Sequence, residues 1–159
     1  MAAARSRCRG TVEGRCQMTG RRLFVGVFSL CALFSFGTTE NPDAEVSFQT
    51  AVSLARRGSM AIGGTKAGRA MVRAAETGSL GSLVNGKDGR WYGWFPPGHA
   101  VLGVPAVWAG DLVDRLVPSL EAALNRGEPH FGVPREDQTA RFLFALLPAL
   151  ATAACAVLL

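Results

Sequence analysis

Arg21-Arg22-Leu23-Phe24-Val25-Gly26-Val27-Phe28-Ser29-Leu30-Cys31-Ala32-Leu33-Phe34-Ser35-Phe36-Gly37 sets two cations in front of 15 residues without a charge. An apolar run that starts at a basic flank has the form of a membrane anchor, since hydrocarbon rejects charge and cations stay on the side from which insertion begins. A helix rises about 1.5 Å per residue, so this run is short for a core of about 30 Å. It completes a span over residues 23–39 only by drawing on Thr38, Thr39 and snorkelling arginines. The competing reading is the apolar core of a cleaved signal peptide. Ser35 and Gly37 bracket a bulky Phe36, and Phe28-Ser29-Leu30-Cys31 lacks the small residue expected before a lipoprotein cysteine, so an uncleaved anchor is the expectation.

Upstream, Arg5, Arg7, Arg9, Arg15, Arg21 and Arg22 face only Glu13, and this excess equals the whole formal net charge of +5. The pI of about 9.6 therefore reports one tail and not a basic face spread over a fold, which argues against a nucleic-acid partner and for anionic membrane lipid. Residues 1–22 read as a disordered cytoplasmic tail. With 48% hydrophobic residues and a mean hydropathy of +0.20, the chain is apolar for a soluble domain.

Downstream, residues 142–159 form a second charge-free run with Arg141 at its start, giving a second span over 141–159. Pro148 is placed to kink it, and Ala149, Ala153 and Ala154 have the spacing through which membrane helices approach one another. With the tail inside, residues 40–140 form an extracytoplasmic loop. Its first part is a clear amphipathic helix over 42–57, with Asn41 as N-cap, Pro42 at the first position, acidic Asp43 and Glu45 near the positive end, and Gly58 as terminator. It is expected to lie on the membrane surface or on other helices. Residues 58–89 are rich in Gly, Ser and Thr and read as poorly ordered, apart from a second helix over 67–76. Residues 90–110 read as an interface segment, aromatic at first and then apolar, with Pro105 interrupting it. Whether 100–110 dips in, lies flat or joins a third span stays open. The fold class expected is an all-α membrane protein, with two transmembrane helices, or three, flanking a partly helical extracytoplasmic loop.

Candidate sites are few. The cysteines at 8, 16, 31 and 155 have neither metal nor disulfide spacing. Gly58-Ser59-Met60-Ala61-Ile62-Gly63-Gly64-Thr65 nearly fits a phosphate loop, but Gly64 stands where the lysine must be. Asp43 and Glu45 are about 200° apart on a helix and cannot share one site. The plain reading of both is compensation of the helix dipole, while a lone carboxylate facing a cavity, as Asp43 can be, suits a general base. His99 and His130 lack acidic neighbours at metal spacing, so a surface or interface histidine is the default.

The order of these features resembles the N-terminal part of polytopic glycosyltransferases of the GT-C class, the protein mannosyltransferase and aminoarabinose transferase superfamily. The resemblance rests on Asp43 in DAEVSFQTAVSLARRGSMAI and on the Tyr92 to His99 part of GRWYGWFPPGHAVLGVPAVWAG. It implies transfer of a hexosyl or pentosyl group from a polyprenyl-phosphate donor on the outer face of a bacterial plasma membrane, the N-terminus being cytoplasmic. On that footing Asp43 is the catalytic base. Lys66, Lys87, Arg90, Tyr92 and His99 are the substrate-binding candidates, and Glu45 is a ligand for a divalent cation if one is used. Many family members carry adjacent acidic residues, whereas Ala44 separates Asp43 from Glu45 here. They also need many spans, so this chain is expected to be an N-terminal portion, inactive alone, with further transmembrane helices supplied by a missing C-terminal part or another subunit. The alternative is a small membrane protein or accessory subunit without chemistry.

Overall fold

The structure, a computed structural model, describes residues 7–34, 41–124 and 136–158, with side chains of the first stretch from residue 20 to 33. The helices are α1 (Arg7–Phe34), α2 (Pro42–Arg57), α3 (Lys66–Glu76), α4 (Gly98–Leu116), α5 (Pro118–Leu124), α6 (Gln138–Ala145) and α7 (Leu147–Leu158), and two strands, β1 (Leu83–Asn85) and β2 (Trp91–Gly93), complete the described elements. The chain is thus mostly helical and carries one small hairpin that an all-α reading does not include. It divides into two units, residues 1–36 with 146–159, and residues 37–145.

In the first unit α1 packs on α7. Of the three alanines expected to form a packing surface, Ala149 and Ala153, one turn apart, are buried in this unit, where their small side chains allow close approach, and Ala154 is exposed. The tail expected to be disordered is helical from Arg7, because the helix that starts in it runs without a break into the apolar run. The second apolar run is divided at Leu146 into α6 and α7, and Pro148 falls in the first turn of α7, where its missing N–H costs little.

Among the described residues one helical stretch, Gln138–Leu158, is long and apolar enough to cross a membrane, at 21 residues. Only 22% of its most apolar part is buried, unlike the core helix of a soluble protein. In α1 the uncharged part within the described residues is 23–34, and the rest of the expected first span, 35–39, lies outside them.

In the second unit α2 is built as its sequence dictates. Asn41 is extended and its side chain accepts from the Asp43 N–H at 2.9 Å. Gly58 at φ 64° ends the helix in the left-handed region, its N–H returning to the Leu54 carbonyl. The buried face carries Val46, Phe48, Ala51 and Val52, the larger of which contribute about 1.5–3 kcal/mol each by leaving water. That face packs on α4, so this helix lies on other helices.

α4 also packs on α6, and glycines set the approach. A Cβ at Gly110 would stand 2.6 Å from Ala140, and one at Gly103 would overlap the Phe144 ring. Pro105 does not interrupt α4: it sits on the exposed face, where the Val101 carbonyl that lacks its usual donor is not sealed inside protein.

The stretch read as poorly ordered is organised. β1 and β2 pair antiparallel, Leu83 opposite Gly93 and Asn85 opposite Trp91, and Ile62 adds a bridge to Trp91. Val46, Ile62, Met71 and Leu83 form a core between α2, α3 and the hairpin, with Val72, Ala75, Leu80 and Trp91 packed against it.

Candidate functional site

The two carboxylates at the start of α2 point to different surroundings. Asp43, half-buried, accepts the Ser82 hydroxyl at 2.5 Å and has no cation partner among the described residues. Glu45 is buried, and its Oε2 pairs with Arg141 of α6 while its Oε1 accepts from Gln49 at 3.0 Å. Gln49 in turn accepts from Thr65 at 2.7 Å, and the Thr65 hydroxyl caps α3 by accepting from the Gly68 N–H at 2.8 Å. Arg141 also donates to the Glu136 carbonyl at 2.7 Å and lies 4.6 Å over the Phe48 ring. The Glu136 side chain accepts from the Ala67 N–H at 3.4 Å, closing a polar circuit through α2, α3 and α6.

Both oxygens of Glu45 are thus engaged by protein donors. Among the described residues no group of three His, Cys, Asp or Glu side chains stands together at metal spacing.

A second ionic junction lies towards the other end of α2. Arg56 reaches Asp111 of α4 at 2.5 Å and Asp137 at 2.8 Å. The hydrogen bond that Arg56 donates to Asp111, opposed by burial and helped by the one to Asp137, holds the Arg56 guanidinium above its ordinary range. Asp137 sits at φ 59°, a conformation Asp tolerates better than most, and Glu121 of α5 accepts from the Gln138 and Thr139 N–H groups to cap α6.

The remaining expected site residues are dispersed. Lys66 is exposed, 3.8 Å from Glu136. Lys87 is exposed in the turn between β1 and β2. Tyr92 donates to Asp88 at 2.7 Å, which lowers the Asp88 carboxyl and raises the Tyr92 hydroxyl from their usual values. It also lines a hollow of about 80 Å³ with Val46, Thr50, Phe95, Pro97 and Ala100. His99 is exposed in the first turn of α4, its ring 4.8 Å from that of Phe144.

Arg90 alone of the expected cations joins others. With Arg57, Arg69 and Arg73 it lines a cleft of about 620 Å³ whose wall includes Ile62, Val72 and Trp91, and Glu76 is the one carboxylate in that lining. The near-phosphate-loop stretch supplies part of the same wall through Ser59, Ala61, Ile62 and Gly63. The element that leads into it is α2 and not a strand, unlike the setting of a phosphate loop. Sequence reasoning passed over Arg57, Arg69, Arg73 and Ser82. Arg69 and Arg73 had a signal, because residues four apart on a helix share a face.

Compared with protein-family models, with curated proteins and with solved structures, the chain matches none.

Proposed function

We propose that this chain is the amino-terminal portion of a membrane glycosyltransferase that moves a sugar from a polyprenyl-phosphate donor to an acceptor on the outer face. The N-terminus is cytoplasmic and the membrane is a bacterial plasma membrane. The observation that carries this reading is the setting of Asp43: a half-buried carboxylate oriented by Ser82, with no cation partner among the described residues, while Glu45 two residues on is neutralised. A carboxylate so held can take the proton of an acceptor hydroxyl as its oxygen attacks the anomeric carbon and the polyprenyl phosphate departs with the bonding electrons. Further membrane helices, from elsewhere in the protein or from another subunit, are needed to bring the donor to it.

The test is an assay of membranes carrying the whole protein with its partner helices, using a labelled polyprenyl-phosphate sugar. Asp43→Asn should abolish transfer while the protein stays folded and inserted. Full retained transfer removes Asp43 from the mechanism.

A second reading, a non-enzymatic accessory subunit, draws on the exposed apolar face of α4, where Val101, Leu102, Trp108, Leu112 and Leu116 recur at helical spacing. It predicts a stable complex with another membrane protein whose integrity is indifferent to Asp43→Asn.

A further inference from the structure

The cleft between α3, the hairpin and the 58–65 stretch has four arginines in its lining and a single carboxylate residue, Glu76. Among the described residues Arg57, Arg69 and Arg73 have no ion-pair partner, and Arg90 has only Asp88, at 3.8 Å. Like charges gathered this way repel one another unless an anion is present, and nothing in the packing of the apolar core requires them there.

The cations are also held in place. The Arg57 guanidinium donates through Nη2 to Ser53 at 2.5 Å and to the Ala61 carbonyl at 2.9 Å. Arg69 donates to the Gly64 carbonyl at 3.2 Å. Gly64 gives the Arg57 head its room, since a Cβ at that position would overlap the guanidinium. Arg57 keeps Nε and Nη1 for other acceptors.

We propose that this cleft binds a phosphate-bearing anion through Arg57, Arg69, Arg73 and Arg90, with the rest of the ligand against Trp91, Ile62 and Val72. Guanidinium groups offer planar paired donors that match phosphate oxygens, and several of them suit a multiply charged anion better than a lone carboxylate. A volume of about 620 Å³ exceeds what a single phosphate fills, and the apolar part of the wall gives the ligand's organic portion a surface. The first N–H groups of α3 are already used, Gly68 by Thr65 and Ala67 by Glu136, so side-chain cations and not the helix end make the site. The proposal stands independently of the role given to Asp43, which lies at the opposite end of α2 from Arg57.

The test uses the full chain in neutral detergent micelles. In one arm inorganic pyrophosphate is titrated by calorimetry. In the other, micelles are doped with phosphatidic acid or with phosphatidylcholine, and the change in tryptophan fluorescence is followed. Arg69→Ala and Arg73→Ala, both at exposed positions that leave the fold intact by circular dichroism, should each weaken binding at least tenfold, and rising salt should weaken it further. Arg115→Ala, a cation outside the cleft, should leave it unchanged. Loss of the pyrophosphate signal in the arginine variants assigns a free phosphate compound. A response to phosphatidic acid alone, lost in the same variants, assigns a lipid headgroup. No binding in either arm, or binding that Arg69→Ala and Arg73→Ala leave intact, overturns the proposal.

Discussion

The two sides of α2 meet opposite electrostatic conditions within two residues of each other. On the Glu45 side the carboxylate is buried, paired with Arg141 and bonded by Gln49, and through them tied to α3 and α6. On the Asp43 side the carboxylate is half-buried with no cation partner among the described residues, and a serine hydroxyl orients it. Charge buried inside protein is tolerated where its partners complete the set, and its removal is felt as lost stability. Charge left without a counter-ion at a half-open position adds little to stability and is available for chemistry or binding.

The largest effect expected from breaking this contrast is Glu45→Ala, which leaves Arg141 buried without its carboxylate. It should cost about 3–5 kcal/mol, read as a lowered denaturation midpoint in micelles. Asp43→Ala should cost far less in the same measurement. Next comes the contact that holds α4 to α6 beside the ion pair. Gly103→Val drives a branched side chain into the space of the Phe144 ring and should destabilise by about 1–3 kcal/mol or more, with Gly103→Ala in the same direction.

Arg56→Ala tests the more exposed junction. Its side chain is 35% accessible, so water screens the loss, and the expected cost is about 1 kcal/mol, shrinking as salt is raised. A similar effect at Arg56 and at Glu45 would remove the distinction between the two junctions.

The smallest effect concerns pH. Asp88, lowered by the Tyr92 hydrogen bond, stabilises the hairpin above the ordinary carboxylate pKa, and that contribution is lost as pH falls through its depressed folded value. Tyr92 is raised by the same bond, so its contribution is present below the ordinary tyrosine pKa and is lost as pH rises through the folded value. In Tyr92→Phe the Asp88 carboxyl should titrate closer to the usual range by NMR, with little change in overall stability.

How much of this was legible from sequence follows from how local each signal is. The bounds of α2 were readable because Asn41, Pro42 and Gly58 act on their own neighbours. α3 was readable from 67 onward, and the second apolar run from its lack of charge. The hairpin was not, because its strands have three residues each and draw their order from Ile62, Met71 and Val46, which lie far off in the chain. The helical state of residues 7–22 was missed because the arginine count dominated the reading of that stretch. The pairing of Glu45 with Arg141, 96 residues apart, and of Asp43 with Ser82, 39 apart, is long-range information that spacing does not carry. The arginine cleft escaped for another reason: the net charge was assigned to the tail, although residues 57–90 hold six basic residues against two acidic ones, and folding collects four of the cations.

The most direct measurement is sugar transfer per folded molecule for Asp43→Asn beside Glu45→Gln, in membranes carrying the whole protein with its partner helices. The account predicts no transfer for Asp43→Asn at normal stability. For Glu45→Gln it predicts transfer that falls only as far as the amount of folded protein falls. The reverse pattern, with Asp43→Asn active and Glu45→Gln inactive though folded, would contradict it.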